Sequence, residues 1–374
     1  MKAGLRVLFT ASGSHIGGAT MAMAHLMLGL PSVGVEPILL ATPPKPSYRS
    51  LFRRLREKGV KLVLSRRRFE RALFWIWLFF AALKSIRGFR INLVHCHGTK
   101  EAAVVGLAAR LMGRKVVYTV EGDPVMEIAL SPESYGPVER VILHACWRLG
   151  LKFANVVVGC SRWMARHLSR YGVKAQYAHN AIDYERFASA ADRGASSTII
   201  SVARFERVKG LETLVKAAAE VAGSRPDARF LLIGGGSLKN HLKDLAGRLG
   251  ISDKIRFLDY SPEVDRLLER SAIAVLPSLY EPFGMAAAEA LAAGKPVVAS
   301  MVGGLREIVV DGVNGFLFAP GDYRELADKI LKLLEDRDLR KRMGEAARET
   351  AKRFKPENIA RRYAEIYRGL LKTG

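Results

Sequence analysis

Amide and sulfur side chains are scarce in this sequence of 374 residues. It contains one glutamine, six asparagines and three cysteines, Cys96, Cys146 and Cys160. Three cysteines with no Cys-x-x-Cys pair exclude a disulfide framework, and we predict buried thiols in a reducing, cytoplasmic compartment. Few amides beside many Lys, Arg and Glu residues are typical of heat-adapted proteins, so we hypothesise a thermophilic source.

Acidic residues are scarce in the first half of the chain. Residues 1–190 carry 28 Lys and Arg residues against 11 Asp and Glu residues, whereas residues 191–374 carry 31 against 25. The net charge of +23 therefore belongs mainly to the first half. A one-sided basic field favours an anionic partner, such as a lipid surface, a nucleic acid or a polyanionic substrate.

The apolar run at residues 72–83 is too short to span a bilayer, which needs roughly 20 residues. The apolar stretch near the start of the chain is also short, and it predicts a first β-strand rather than a signal peptide.

The run at residues 72–83 follows a strongly basic segment. Between Lys45 and Arg71 there are 11 basic residues, and the run itself contains Trp75 and Trp77. This pattern predicts peripheral insertion into an anionic membrane surface, at the inner face of the membrane. A helix packed beneath a sheet is the alternative. The residues expected to touch the membrane are Arg66, Arg67, Arg68, Trp75 and Trp77.

Short β-branched runs alternate with longer amphipathic segments throughout the chain. The strand candidates are almost continuously apolar, which is typical of parallel strands covered on both faces. A small, polar stretch near residues 188–197 separates two such series. We therefore predict two doubly wound α/β domains, residues 1–190 and 191–355, that face each other across a ligand-binding cleft.

The segment from Glu281 to Glu289 combines a strand end, a glycine and two carboxylates. Gly284 opens a helix whose first N–H groups, beginning with that of Met285, suit a pyrophosphate. Glu289 is hard to bury in so apolar a helix without a partner. The two carboxylates suit sugar and ribose hydroxyls.

A second loop, at residues 201–210, carries Arg204 at the end of a strand and Lys209 just before a helix. Two fixed cations at a strand-to-helix loop suit a diphosphate that gains charge as a sugar leaves.

Glycine-rich loops follow two other predicted strands. One contains His15, Gly17 and Gly18, and the other begins at Gly234. By their position both loops suit a phosphate or a substrate, and we expect Gly17, Gly18 and Gly234 to contact the donor. Neither is a G-x-G-x-x-G motif, which argues against a nicotinamide enzyme.

These motifs together resemble glycosyltransferase family 4, a retaining group with the GT-B fold. The resemblance covers nearly the whole chain, including HNAIDYERF, SVARFERVKG, EPFGMAAAEALAAGKPVVAS and GGLREIVVDGVNGFLF. It implies that Arg204 and Lys209 bind the donor phosphates, that Glu289 binds ribose, and that Glu281 lies beside the transferred sugar. It also implies that Phe283 and Gly284 offer backbone N–H donors there. It also implies that residues 356–374 pack back onto the N-terminal domain.

The sequence departs from the family pattern at two positions. Glu121 stands where the family usually has a histidine that contacts the donor sugar or the acceptor, and Ala181 replaces a glycine. His97 matches a second, less constant histidine. On the acceptor side we consider His15, His97, Glu121 and Asp123 as candidates, and His95 as a weaker one. No arrangement predicts an obligatory metal.

The predicted activity is transfer of a hexosyl group with retention from a UDP- or GDP-hexose to a hydroxyl of an acceptor glycan or lipid-linked sugar. Two alternatives remain open. A nucleotide-sugar 2-epimerase shares the architecture, and a basic nucleic-acid-binding protein would share the charge, although no recognition motif favours it.

Overall fold

The computed structural model describes residues 4–11, 17–66, 69, 71–189 and 197–372. Three of the sequence candidates, His15, Arg67 and Arg68, lie outside these described residues.

The first sheet contains seven parallel strands in the order β3-β2-β1-β4-β5-β6-β7. All of their pairings are parallel, and the order reverses between β1 and β4, as in a doubly wound fold. The strands are β1 (Leu5–Ala11), β2 (Val35–Ala41), β3 (Lys61–Leu64), β4 (Leu93–Cys96), β5 (Lys115–Val120), β6 (Val156–Gly159) and β7 (Gln176–Tyr177).

The second sheet contains six parallel strands in the order β10-β9-β8-β11-β12-β13. Its order reverses between β8 and β11. The strands are β8 (Thr198–Val202), β9 (Arg229–Ile233), β10 (Ile255–Leu258), β11 (Ile273–Leu276), β12 (Val297–Ser300) and β13 (Gly315–Phe318).

Helices connect the strands and cover both faces of each sheet, which confirms the predicted fold class. None of the described helices is both long and apolar enough to cross a bilayer. In the first half the helices are α1 (Gly18–Gly29), α2 (Arg49–Glu57), α3 (Arg71–Gly88), α4 (Thr99–Leu111), α5 (Pro124–Leu130), α6 (Pro137–Phe153), α7 (Arg162–His167) and α8 (Tyr184–Ala188). The later helices are α9 (Leu211–Ser224), α10 (Lys239–Arg248), α11 (Val264–Glu269), α12 (Met285–Ala292), α13 (Leu305–Ile308), α14 (Tyr323–Glu335), α15 (Arg337–Ala351) and α16 (Pro356–Lys372).

The chain forms two compact units whose boundaries differ from those expected at residues 190 and 355. Unit 1 comprises Met1–Val125, Gly136–Ile182 and Phe354–Gly374, and unit 2 comprises Met126–Tyr135 and Asp183–Arg353. The short segment 126–135 joins unit 2 because its side chains bond there: the Ser131 hydroxyl accepts a hydrogen bond from the Val208 N–H at 3.1 Å. The division of acceptor and donor binding between the two units stays a prediction.

Helix α16 packs against α1 within unit 1. Its buried residues, among them Tyr363 and Tyr367, share one core with Met23 and Leu26 of α1. The backbones approach closely at Gly29, where a Cβ atom would lie 2.2 Å from the Pro356 carbonyl oxygen. A glycine here is required by space, because the obstacle is backbone and cannot rotate away.

We expect Gly29→Ala to lower the free energy of unfolding by about 1–3 kcal/mol, because the added methyl group forces α1 and α16 apart. Gly369→Ala is a matched control, since Gly369 lies in α16 with open space around it. Alanine there should be neutral or slightly stabilising. Denaturant unfolding followed by circular dichroism measures both variants, and equal midpoints for the two would contradict this packing.

Candidate functional site

The strand order of unit 2 brings two of the predicted motifs together. Strands β8 and β11 are neighbours at the point where the order reverses. Because both strands are parallel, the loops that follow them leave from the same edge of the sheet. The first loop carries Arg204 and Lys209, and the second carries Glu281 and leads into α12.

Lys209 and Glu281 form an ion pair where these loops meet. The Lys209 Nζ donates to the Glu281 Oε2 at 2.7 Å, and the Ser278 hydroxyl also donates to that oxygen at 3.3 Å. The two charged side chains are only 16 % and 13 % exposed. Gly210, with φ +60°, permits the approach, because a Cβ atom there would lie 2.1 Å from the Pro277 carbonyl oxygen.

Helix α12 begins shortly after Glu281 in the chain. Its N-terminal flanking residue, Gly284, has a φ of +108°, a conformation that favours glycine, and its first residue is Met285. The N–H groups of the first turn have no partner within the helix, so they can bind an anion. Phe283 is buried beside them. The Gly304 N–H stabilises the loop by donating to the Glu281 carbonyl oxygen at 2.9 Å.

Arg204 extends from the same edge and is 58 % exposed. Its guanidinium lies 3.8 Å from the Glu127 Oε2, which also accepts a hydrogen bond from the Tyr135 hydroxyl at 3.1 Å. Burial, and next the Glu127 charge, raise the pKa of Tyr135 to about 12. Glu127 and Tyr135 carry no motif, and nothing in the sequence around them identified them as neighbours of Arg204.

Glu206 in the same loop ties segment 126–135 to the end of β9. Its carboxylate accepts hydrogen bonds from the Ser134 hydroxyl at 2.7 Å and from the Ser237 hydroxyl at 2.8 Å. Burial opposes its charge, but these hydrogen bonds hold the pKa of Glu206 below its usual value. Gly234 directly follows β9, so this glycine-rich turn lies on the same edge of the sheet.

Glu289 lies in the second turn of α12, on the side that faces α8. Burial raises its pKa to about 7. The nearby charges have smaller effects, since Arg186 lowers this pKa and Asp183 raises it. The predicted difficulty of burying this carboxylate in an apolar helix agrees with its raised pKa. Arg186 itself bonds to Asp265 at 2.5 Å, so its charge is shared.

In unit 1, His97 and Glu121 meet at the carboxyl ends of β4 and β5. The His97 Nδ1 lies 3.0 Å from the Glu121 Oε1, and the Asn180 amide donates to the other oxygen, Oε2, at 2.6 Å. Each carboxylate oxygen thus has one hydrogen-bond partner. The His97 Nε2 is buried and has no hydrogen-bond partner. With Nδ1 protonated toward Glu121, this nitrogen presents a lone pair.

The other acceptor-side candidates have mainly structural contacts. Asp123 is fully buried, and its carboxylate accepts from the Val125 N–H, from the Tyr171 hydroxyl at 2.6 Å and from His167 at 2.7 Å. These bonds make it the anchor of the loop before α5.

His95 bonds to the Tyr367 hydroxyl and to the Thr119 hydroxyl, each at 2.7 Å. Burial, and next the charge of His97, lower the pKa of His95. Gly17 flanks the start of α1, and Gly18 is its first residue.

The expected membrane-contact residues are only partly at the surface. Arg66 is exposed, but Trp75 and Trp77 are half-buried and pack against Phe74 with ring centroids 4.8 and 5.9 Å apart. The large apolar side chains of α3 that are exposed are instead Leu73, Ile76 and Phe80. The sequence run had no polar stripe, so it did not reveal which face is exposed. Across the part of the chain that the structure describes, no group of three His, Cys, Asp or Glu residues could hold a metal.

Two protein-family models match the chain. The model described as Glycosyltransferase Family 4 matches residues 16–186, and the model described as Glycosyl transferases group 1 matches residues 185–350. Together they span most of the sequence, and the predicted resemblance is confirmed.

The curated relatives differ in how much of this chain they match. N-acetyl-alpha-D-glucosaminyl L-malate synthase of Bacillus anthracis is 29 % identical over 299 residues, which cover 75 % of this chain and 76 % of that protein. D-inositol 3-phosphate glycosyltransferase of Corynebacterium urealyticum is 39 % identical over 178 residues, which cover 45 % and 42 %.

Solved structures with the same fold include HepE of Anabaena in complex with UDP and glucose. It has a TM-score of 0.76 and 21 % identity, and the match covers 97 % of this chain and 99 % of that chain. Sucrose-phosphate synthase of Thermosynechococcus elongatus has a TM-score of 0.74 at 21 % identity, with 99 % and 100 % covered. These likenesses establish the two-sheet GT-B fold.

The raised pKa of Glu289 predicts a pH-dependent stability. Its folded pKa of about 7 lies above the ordinary value of 4.5, so its burial costs stability progressively as the pH rises from about 4.5 through 7. We therefore expect Glu289→Gln to raise the melting temperature at pH 8 but hardly at pH 4. Scanning calorimetry at both values measures this, with the exposed Glu345→Gln as control. A gain that is equal at pH 4 and pH 8 would contradict the assignment.

Proposed function

The chain belongs to the family 4 glycosyltransferases, and we propose that it transfers a hexosyl group, with retention, from a nucleotide diphosphate sugar to an acceptor hydroxyl. The observation that carries this proposal is the Lys209–Glu281 pair at the N-terminus of α12, where the loops after β8 and β11 meet. It combines a cation, helix N–H groups and a carboxylate within one small region.

The donor phosphates would bind Arg204, Lys209 and the first turn of α12. Both cations face carboxylates, namely Glu127 and Glu281. A diphosphate carries more charge than either carboxylate and can take several hydrogen bonds at once, so it competes favourably for them. Glu281 would then be released to accept hydrogen bonds from hydroxyls of the transferred sugar.

Glu289 would bind the two ribose hydroxyls. The HepE structures contain UDP or UDP-glucose, which makes a UDP-hexose the first donor to test, with a GDP-hexose as the alternative. A metal is not needed in this scheme, because the cations and the helix N–H groups meet the phosphate charge.

The transfer would proceed by displacement on the face of the sugar from which the diphosphate leaves. The acceptor oxygen bonds to the anomeric carbon as the bond from that carbon to the phosphate oxygen breaks. The leaving diphosphate takes the proton of the acceptor hydroxyl. Arg204, Lys209 and the dipole of α12 would stabilise the charge that develops on it.

On the acceptor side we place His97 rather than Glu121 in contact with substrate. Each oxygen of Glu121 already has one partner, His97 or Asn180, whereas the His97 Nε2 is buried without a partner. A buried nitrogen of this kind costs free energy until a hydroxyl donates to it. Glu121 is then a positioning residue that fixes the tautomer and direction of His97.

An acceptor presented at an anionic lipid surface is consistent with the basic residues between Lys45 and Arg71 and with the outward side chains of α3. A nucleotide-sugar 2-epimerase remains the rival activity. It would convert the donor with no acceptor present and would release an epimer.

Removing the Lys209 charge should weaken donor binding. We expect a rise in melting temperature with one of UDP, GDP, ADP or their hexose conjugates, and a loss of affinity of about 10- to 100-fold in Lys209→Ala, since a charge-assisted contact is worth about 1.5–3 kcal/mol. Lys216→Ala, an exposed lysine on α9, is the control. If no nucleotide shifts the folded protein, the phosphate site is wrong.

Changes at His97 should affect the acceptor and not the donor. His97→Gln and Glu121→Gln should each lower kcat/KM for the acceptor by about 10- to 100-fold, through one lost or misdirected hydrogen bond. Initial rates with labelled donor and a panel of lipid-linked and soluble hydroxyl acceptors measure this. Donor affinity in the same variants should be unchanged, and a loss of donor affinity would contradict the assignment to the acceptor side.

A further inference from the structure

Three neighbouring helices of unit 1 form one layer over the sheet. Helix α4 packs against α3 on one side and against α6 on the other. Each of the three connects consecutive strands between β3 and β6, and such right-handed crossovers place them on the same face.

The outer surface of this layer is unusually apolar. Half of the exposed large hydrophobic side chains in the described residues lie on these three helices, and each is 39–73 % exposed. Monomeric soluble proteins rarely leave so many together without a use. The side chains are Leu73, Ile76 and Phe80 on α3, Leu107 and Leu111 on α4, and Val138, Val141, Ile142 and Leu149 on α6.

The α6 contribution forms a continuous stripe. Its exposed apolar residues follow the three- and four-residue spacing of one helix face, whereas Trp147 and Gly150 are buried on the opposite face. The helix therefore lacks the usual polar outer face, because apolar residues lie on both its inner and its outer side. Packing within unit 1 explains only the inner set.

Basic residues outnumber acidic ones on the same three helices. Helices α3, α4 and α6 together carry eight Lys and Arg residues and two Glu residues. Of the two glutamates, Glu101 is half-buried and burial raises its pKa, and Glu139 pairs with Lys100 at 3.3 Å. The surface therefore presents a positive field with little acidic compensation.

We propose that the outer face of α3, α4 and α6 lies flat on an anionic lipid bilayer, with α6 inserting its aliphatic stripe as α3 inserts its own. The proposal rests on the membrane association proposed above and extends it from one basic segment to a three-helix face. Exposed apolar side chains match the acyl region of such a surface, and the Lys and Arg residues of the same helices match its anionic headgroups.

Charge argues against the other occupants. A second copy of the chain would bring two positive faces together, which costs free energy at each close pair. Nucleic acid would match the charge but not the aliphatic side chains, since bases stack on aromatic rings and arginine.

Flotation of the full chain with vesicles tests the proposal. We expect the wild type to bind vesicles of phosphatidylglycerol and phosphatidylcholine at physiological salt, and pure phosphatidylcholine far more weakly. The triple variant Val138→Ser, Val141→Ser, Ile142→Ser should lose about tenfold or more in partition coefficient, since each side chain withdraws apolar area from the interface. A matched control is Val310→Ser with Val313→Ser, two exposed valines of unit 2.

The possible outcomes are distinguishable. Wild-type binding that only the α3 variant Leu73→Ser, Ile76→Ser, Phe80→Ser weakens would overturn the three-helix face and leave the α3 association standing. No vesicle binding by the wild type would remove both. A wild-type dimer in sedimentation velocity that the α6 variant disrupts, with vesicle binding unchanged, would assign the face to a second copy. Retained nucleotide-induced stabilisation shows that the variants are folded, and this readout tests the transferase proposal separately.

Discussion

The adjacency of β8 and β11 is the constraint on which the site of unit 2 depends. Residues 204–209 and residue 281 are more than seventy positions apart in the chain, and they meet only because the strand order reverses between these two strands. The reversal leaves the two loops without a crossover between them, so their backbones can converge. Lys209 and Glu281 can therefore form a half-buried ion pair instead of two solvated charges.

The parts of the fold that follow from local chemistry could be predicted from the sequence. Strands such as Lys115–Val120 and Arg229–Ile233 are short β-branched or apolar runs, which is the pattern that predicts buried parallel strands. The loops at residues 204–209 and 281–284 were identified because each combines a strand end, a glycine and a charge. A parallel sheet then places such loops at one edge, whatever the intervening sequence.

Features set by distant contacts could not be predicted in this way. The placement of segment 126–135 in unit 2 depends on single hydrogen bonds of Ser131 and Ser134 to residues more than seventy positions away. Serine side chains give no periodic signal. Asp123 follows a strand end, which made it an acceptor-side candidate. Its side chain is fully buried, and three groups donate to its carboxylate. The sidedness of α3 was hidden for a different reason, since a helix that is apolar all round does not specify its inner face.

The position of α16 has a consequence for the order in which the protein can fold during synthesis. Residues 183–353 complete unit 2, whereas unit 1 still lacks α16, which is translated afterwards. Until then, the face of α1 around Met23 and Leu26 has no cover, because Tyr363 and Tyr367 have yet to leave the ribosome. The half of the chain that is made first is thus finished last, and a nascent chain that stalls in unit 2 carries an open apolar surface that chaperones recognise.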